Sequence, residues 1–447
     1  MDGPRRANRE DMSPAAETVH TPMRTLYIDM NSFFASVEQQ LAPELRGWPV
    51  GILALGERHD PPHRDRRLPG ALVAASYEAK AFGVKTGTLA REAVRLCPEI
   101  VLLPSRHRLY VRFNTAIAGV IDRIAELERI RSVDEFQVAL GGETAILPRS
   151  LALAREIKAA IAAEVGSELR LSAGIGPNPL LAKIAGKLQK PDGLSWLAPE
   201  NMPARVAHLG LDDLPGIARG ILSRLLAAGV SDIPALYGLD PRHARMIWRS
   251  VEGERFVRSL QGLVADGDSA NPPTQRSGFG NGKVLSPERR RPDQARLVLR
   301  WLTERAAARL RRAGYCAAEV SLTAFILPEE AGRFRSWGRS SEGVRWWRTR
   351  RLHPSQETAV FLAEIEVLWC ELVEVARPPL LLSVGVHLAG LVLLSERTGD
   401  LFLQVAPGER TSGERLSRTI DALNRRFGDQ AVTYGINAPH PGFYDRG

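Results

Sequence analysis

Short apolar runs of β-forming residues alternate, through the first half of the chain, with stretches whose apolar positions recur at helical spacing. Over residues 24–30 the run Thr-Leu-Tyr-Ile predicts a strand closing on Asp29, and Phe34, Val37 and Leu41 place a helix over 31–41. A polar loop at 56–69 leads into a small apolar strand at 71–75 and a short segment at 77–82. Helical periodicity returns over 108–127 and again, strongly amphipathic, over 151–165. Between them, 130–140 reads as two short strands or one bent strand, with Asp134 and Glu135 in its middle. A strand at 169–175 and a helix at 179–188, opening near Asn178-Pro179, complete the alternation. Strands and helices alternating in this way predict an α/β (α+β) core.

Beyond about residue 201 the pattern changes to short helices. Leu214-Pro-Gly-Ile-Ala-Arg-Gly220 reads as a glycine-bearing hairpin between two helices, suited either to a phosphate or to an ordinary helix–helix turn. Residues 266–282, rich in Gly, Pro, Ser and Asn, read as a linker. An arginine-rich helix follows at 287–312, then a strand at 319–327, a segment at 334–353 mixing Arg with Trp337, Trp346 and Trp347, and a helix at 358–373. Of Trp346 and Trp347, adjacent and therefore facing opposite ways, at least one belongs to the core; the other is able to stack on a base. The apolar run 378–394 is interrupted by Ser383, His387 and two glycines, and reads as paired buried strands rather than a membrane span. A helix at 415–427 lies in the tail.

Length and charge narrow the picture. A chain of 447 residues calls for two to four domains. The formal charge of +9 favours a polyanionic partner, without requiring one. Three cysteines without CxxC spacing suit neither a disulfide framework nor a zinc site, and fit a reducing compartment. Residues 1–22 read as a disordered leader without a secretory signal, so the expected setting is the cytoplasm.

Candidate chemistry comes from acids and lysines. Asp29 ends one strand and Asp134-Glu135 lies in another, so three carboxylates on neighbouring strands are placed to hold two divalent ions about 3.5–4 Å apart. Taken singly, Asp29 also suits a helix cap and Asp134-Glu135 a solvated acidic pair. Adjacent strand residues face opposite ways, so joint ligation by Asp134 and Glu135 requires a local irregularity. Only seven of the 60 basic residues are lysines, and five of them fall at Lys80, Lys85, Lys183, Lys187 and Lys190. A compact ammonium suits a triphosphate as a point charge.

Four ordered segments carry a resemblance. Tyr27-Ile-Asp-Met-Asn-Ser-Phe-Phe-Ala-Ser-Val-Glu38 resembles the opening motif of Y-family DNA polymerases, closest to the DNA polymerase IV branch. Ala75-Ser-Tyr-Glu-Ala-Lys-Ala-Phe-Gly-Val84 is similar to that family's fingers motif, and Ser132-Val-Asp-Glu135 to its second acidic motif. Ala182-Lys-Ile-Ala-Gly-Lys-Leu-Gln-Lys-Pro-Asp-Gly193 resembles its triphosphate-side motif. The resemblance implies a right-hand polymerase with a mixed-sheet palm (23–34 and 101–197), small fingers (35–100) and a helical thumb with a helix-hairpin-helix (198–265). It further implies a linker (266–282), a C-terminal α/β little-finger domain (283–395) and a tail (396–447).

By the same resemblance, Asp29, Asp134 and Glu135 are the catalytic acids and, with the backbone carbonyl of Met30, hold two Mg²⁺ ions that Mn²⁺ replaces. Phe33 and Phe34 border the nucleotide, with Phe34 as steric gate against a 2′-hydroxyl; read alone, Phe34 is equally a core aromatic. Tyr77, Lys80 and Lys190 would contact the triphosphate. Gly216, Gly220, Arg289, Arg290, Arg291, Arg311 and Arg312 would hold primer–template DNA, and Leu401 and Phe402 would dock a sliding clamp. The implied enzyme is a monomeric, nucleoid-associated, low-fidelity DNA polymerase that uses dNTPs to extend primers past damaged bases. Lys80 in place of the usual Arg, Ala74 in place of a hydroxyl residue, and Phe136-Gln137 depart from the family pattern. A non-catalytic DNA-binding adaptor and a nucleotide cyclase are the rival readings; all three acids argue against the first, and the thumb hairpin and Arg-rich domain against the second.

Overall fold

The computed structural model describes residues 20–54, 70–263, 277–328, 343–397, 412–428 and 431–438. The chain divides into two units, Met1–Trp48 with Arg108–Ala270, and Pro49–His107 with Asn271–Gly447. The helix Phe33–Leu41, expected to open the fingers segment, falls in the first unit. Among the described residues no helix is long and apolar enough to cross a membrane.

The first unit is built on a five-stranded sheet in the order Leu127–Ile130, Glu135–Ala139, Thr25–Met30, Leu171–Gly176, Leu194–Trp196. Its pairings are antiparallel except the last, which is parallel. Leu26 and Ile28 alternate inward on the central strand, and the neighbouring strand buries Phe136 completely opposite Ile28. The helix Pro179–Leu188 is capped by Asn178, whose Oδ1 accepts from Leu181 N at 3.0 Å. It lies directly on the strand Leu171–Gly176. A Cβ at Gly174 would stand 2.0 Å from the Ala182 carbonyl oxygen and 2.2 Å from Gly186 N, so only glycine admits this approach. Short helices then pack Leu214, Ile217, Leu225, Ile233, Leu236 and Trp248 into one cluster with Leu181 and Ile184 of the helix Pro179–Leu188. The hairpin differs from expectation: a 3-10 turn, Leu211–Asp213, replaces the first helix, and Gly220 sits inside the helix Arg219–Ala227. The supposed leader is ordered at its end, where His20 N and Thr21 N both donate to Glu200 Oε1.

The second unit contains a three-stranded sheet, Leu72–Ala75, Val50–Leu53, Val101–Pro104. It also contains a four-stranded antiparallel sheet in the order Val344–Ser355, Tyr315–Leu327, Leu380–Leu393, Gly278–Val284. The helices Pro292–Arg312 and Thr358–Ala376 pack on it through Leu299, Leu302, Leu310, Phe361, Ile365 and Leu368. Alternation along Val344–Ser355 buries Trp346 and leaves Trp347 61% exposed. Two expectations are corrected. The apolar run near the C-terminus is one strand, Leu380–Leu393, not a pair. The supposed linker ends in a strand, Gly278–Val284, where Gly278 and Gly280 face His387: a Cβ at Gly278 would lie 2.4 Å from His387 Nε2.

Arg311 is also corrected. Expected to reach DNA, it is only 5% exposed. Its guanidinium forks onto Asp421 at 2.7 and 2.8 Å and donates to the Gln356 carbonyl and Thr358 Oγ1. It ties the helix Ser412–Phe427 to the sheet's helices. Arg311→Ala strands a largely buried carboxylate and is expected to cost about 3 kcal/mol of stability. Exposed Arg312→Ala should cost less than about 0.5 kcal/mol. Urea unfolding of the two variants checks the contrast.

Candidate active site

Asp29 pairs directly opposite Glu135 in the antiparallel register of the two central strands. Side chains so placed share one face with Cβ atoms about 4.5–5.5 Å apart, and like charges there repel. Two lysines offset the repulsion. Lys190 Nζ lies 2.6 Å from Asp29 Oδ1, and Lys183 Nζ lies 2.6 Å from Glu135 Oε1. Lys183, on the helix held against the sheet by Gly174, also donates to the Tyr27 hydroxyl at 3.0 Å. Burial above all pushes the Tyr27 phenol up to about 12, keeping it neutral. Burial works against the Lys183 ammonium, but its hydrogen bonds to Glu135 and Tyr27 outweigh that and raise its pKa.

Asp134 precedes its strand instead of lying inside it. The amides of Arg131 and Ser132 both donate to the Glu135 carbonyl, and Asn114 Nδ2 donates to the Val133 carbonyl at 2.8 Å. This tight turn is the expected irregularity, and it frees Asp134 from the alternation that would separate it from Glu135. Asp134 Oδ1 accepts from Ser132 Oγ at 2.5 Å, while its amide-side carbonyl takes Met30 N at 2.9 Å. Burial first raises the Asp134 pKa; Ser132 opposes it, and the charges of Asp29 and Glu135 raise it further. The three acids therefore act on one another.

As placed, no three acidic, histidine or cysteine side chains among the described residues are grouped to hold a metal ion. Lysines occupy two of the acids instead. The donor set still suits a hard divalent cation: three carboxylates supply oxygen ligands only, against the two lysines paired with them.

Phe33 is core, 3% exposed. Phe34 is half-buried and stacks on Tyr110, ring centroids 4.1 Å apart. Tyr110 in turn donates to Glu38 Oε1 at 2.8 Å, so the Phe34 ring rests on a fixed platform. In the second unit, Ser76 Oγ accepts from Val50 N and Ala79 N and starts the short helix Tyr77–Ala81, where Lys80 Nζ stands 4.3 Å from the Tyr77 ring centre. Ala74 lies in the preceding strand. Gly216 adopts φ 97° just before the helix Arg219–Ala227. Arg289 donates to Gln294 Oε1, Arg290 to the Leu285 carbonyl, and Arg291 to Asp293. Leu401 and Phe402 lie outside the described residues. The Phe136-Gln137 departure is absorbed locally: Gln137 accepts from Arg131 Nε and donates to Glu128 Oε2, both at 2.7 Å.

Sequence reasoning gave no role to Tyr27 or Ser132, and offered Lys183 only as one of five clustered lysines suited to a triphosphate, not as the partner of Glu135. The rarity of lysine pointed towards Lys183; the period of two from Asp29 could have found Tyr27.

Acids at the ends of adjacent strands, each paired with a lysine, place the class among proteins that present a carboxylate cluster at the edge of a mixed sheet. The impB/mucB/samB family matches residues 28–187, and that family's C-terminal domain matches 276–401. DNA polymerase IV of Moorella thermoacetica is 34% identical over 419 residues, covering 92% of this chain and 95% of its own. DNA polymerase IV of Pelotomaculum thermopropionicum is 31% identical, covering 92% and 94%. Among solved structures, the Y-family DNA polymerase chimera Dbh-Dpo4(243-245)-Dbh shares the fold with a TM-score of 0.64 at 20% identity, covering 83% of this chain and 100% of its own. The chain belongs to the impB/mucB/samB family of Y-family DNA polymerases, a family of DNA-directed DNA polymerases, in its DNA polymerase IV branch. Enzymes of this family depend on metal ions.

If Lys183 and a metal compete for Glu135, Lys183→Met should tighten Mn²⁺ binding to the DNA-free protein about three- to tenfold, on the order of 1 kcal/mol. Titration followed by Mn²⁺ paramagnetic resonance reads this directly. Weaker binding would show that Lys183 supports the ion instead of replacing it.

Proposed function

We propose that the chain carries out translesion synthesis by two-metal-ion nucleotidyl transfer, with Mg²⁺ (or Mn²⁺) held by Asp29, Asp134, Glu135 and the Met30 carbonyl. The observation that supports this most is Asp29 directly opposite Glu135 with lysines as the balancing charge, and Asp134 beside them raised by burial and then by both carboxylates. Divalent ions in that position supply the charge that lowers the pKa of a primer 3′-hydroxyl and neutralises departing pyrophosphate.

The chain's own residues account for the rest. An incoming triphosphate offers Lys190 a second polyanion, so its ammonium is free to pass from Asp29 to phosphate. Lys183 is placed to yield Glu135 to a bound ion while keeping its bond to the Tyr27 hydroxyl. The Phe34 ring, backed by Tyr110, closes the space that a 2′-hydroxyl needs. Tyr77 and Lys80 grip the triphosphate from the fingers, the Gly216 hairpin and the exposed arginines hold primer–template DNA by its phosphates, and sequence is not read. Docking of a sliding clamp through Leu401 and Phe402 rests on their sequence alone.

Primer extension with Mg²⁺ and dNTPs, on intact and abasic templates, tests the proposal. Asp29→Ala, Asp134→Ala and Glu135→Ala should each slow extension at least about 100-fold while DNA binding persists. DNA binding without extension by the unaltered protein, with Mn²⁺ also supplied, would favour an adaptor instead. Phe34→Ala should raise ribonucleotide insertion on the order of 100-fold in the same assay.

A further inference from the structure

Lys190 is not on a regular element. It sits in the turn between the helix Pro179–Leu188 and the strand Leu194–Trp196, where its position depends on what holds the turn. Two groups hold it. Asn31, 2% exposed, accepts the Asp192 amide on Oδ1 at 2.7 Å. Lys158, from the helix Leu147–Glu164, grips Asp192 from outside, 2.9 Å from Oδ1 and bonded to its carbonyl. Asp192 itself adopts φ 61°, and Gly193 packs so closely on the Gln189 carbonyl that a Cβ there would stand 1.9 Å from the oxygen.

Asn31 is anchored on the catalytic side as well. Its Nδ2 donates to Ser172 Oγ at 3.0 Å and reaches the Asp29 carbonyl at 3.4 Å, and the Ser172 hydroxyl, 0% exposed, lies 3.2 Å from Oδ1. One buried amide thus joins the backbone that carries Asp29 to the backbone that carries Lys190. No other side chain among the described residues is shown bonded to both.

The geometry points to Asn31 as a positioning residue for nucleotide binding: with Ser172 it forms a clasp on the Asp192 amide that sets where the Lys190 ammonium meets the triphosphate. The inference rests on the proposed contact between Lys190 and triphosphate. Asn31 need touch neither metal nor nucleotide. An acceptor at the position of Oδ1 is the essential feature, since the Asp192 amide donates to it at 2.7 Å. Asn31→Asp keeps that acceptor, whereas Asn31→Leu fills the space and leaves the amide unpaired.

Steady-state single-nucleotide insertion by the full-length protein tests the clasp, with variants Asn31→Leu, Asn31→Asp, Lys190→Ala and the Leu/Ala double. Asn31→Leu is expected to raise KM for the dNTP about tenfold and to change kcat less than about threefold. Asn31→Asp should restore KM to within about threefold. In the Lys190→Ala background, Asn31→Leu should add little, because the residue through which it acts is gone. Lys190→Ala with unchanged KM would refute the triphosphate contact itself, independently of Asn31. A normal KM in Asn31→Leu, or a full additional tenfold loss in the double variant, would overturn the clasp. A lowered melting temperature alone, with KM unchanged, would likewise assign Asn31 a purely structural part.

Discussion

Everything at the site follows from one unfavourable contact: two carboxylates, Asp29 and Glu135, set directly opposite each other across an antiparallel pair. A sheet that merely had to fold would avoid it. Here the repulsion is held in check from the adjoining helix and turn by Lys183 and Lys190. That arrangement fixes the neighbouring requirements. The helix must lie close enough for a lysine to reach across, which needs Gly174, and the turn after it must not drift, which needs partners for Asp192. Asp134, added beside the pair, has its pKa raised first by burial and then by the charges of Asp29 and Glu135, against the hydrogen bond from Ser132.

The choice of lysine follows from the same constraint. Arginine dominates this chain, with lysine contributing seven of 60 basic residues, yet three of the seven hold the site: Lys158, Lys183 and Lys190. A guanidinium forks onto a carboxylate through two parallel bonds in a fixed planar geometry. An ammonium on a flexible stem is a compact point charge with three rotatable donors, as Lys183 shows by reaching both Glu135 and Tyr27. Lys183 and Lys190 hold the acids through compact ammonium contacts, whereas Arg311 locks Asp421 through a two-bond fork.

Much of this was legible in the sequence. The strand closing on Asp29, the helix from Pro179 and the acidic pair at 134–135 all came from local pattern, because period and capping are local properties. The position of Asp134 within a turn was not readable in detail, since the bonds that fold it back come from Glu135 and, across the fold, Asn114. Composition misled at Gly278, where glycines mark a strand packed on His387 rather than a flexible linker. The single long strand Leu380–Leu393 was likewise invisible, because its interruptions by Ser383 and His387 are tolerated through pairing on both edges.

Positive charge in the C-terminal half is a weaker sign of DNA contact than its density suggests. Arg296 and Arg300 both pair with Glu366, and Arg300 also donates to the carbonyls of Tyr434 and Ile436. Arg348 and Arg350 pair with Glu371 and Glu364 across to the neighbouring helix. These arginines spend part of their bonding capacity inside the fold, and Arg311 spends nearly all of it there. A guanidinium with an internal carboxylate partner must exchange that partner to bind a phosphate, so it contributes less to affinity than one already facing solvent. Counting arginines along the helix Pro292–Arg312 therefore overstates its grip on DNA. Exposure, residue by residue, separates Arg312 on the surface from Arg311 in the core, although the two are adjacent in sequence and identical in chemistry.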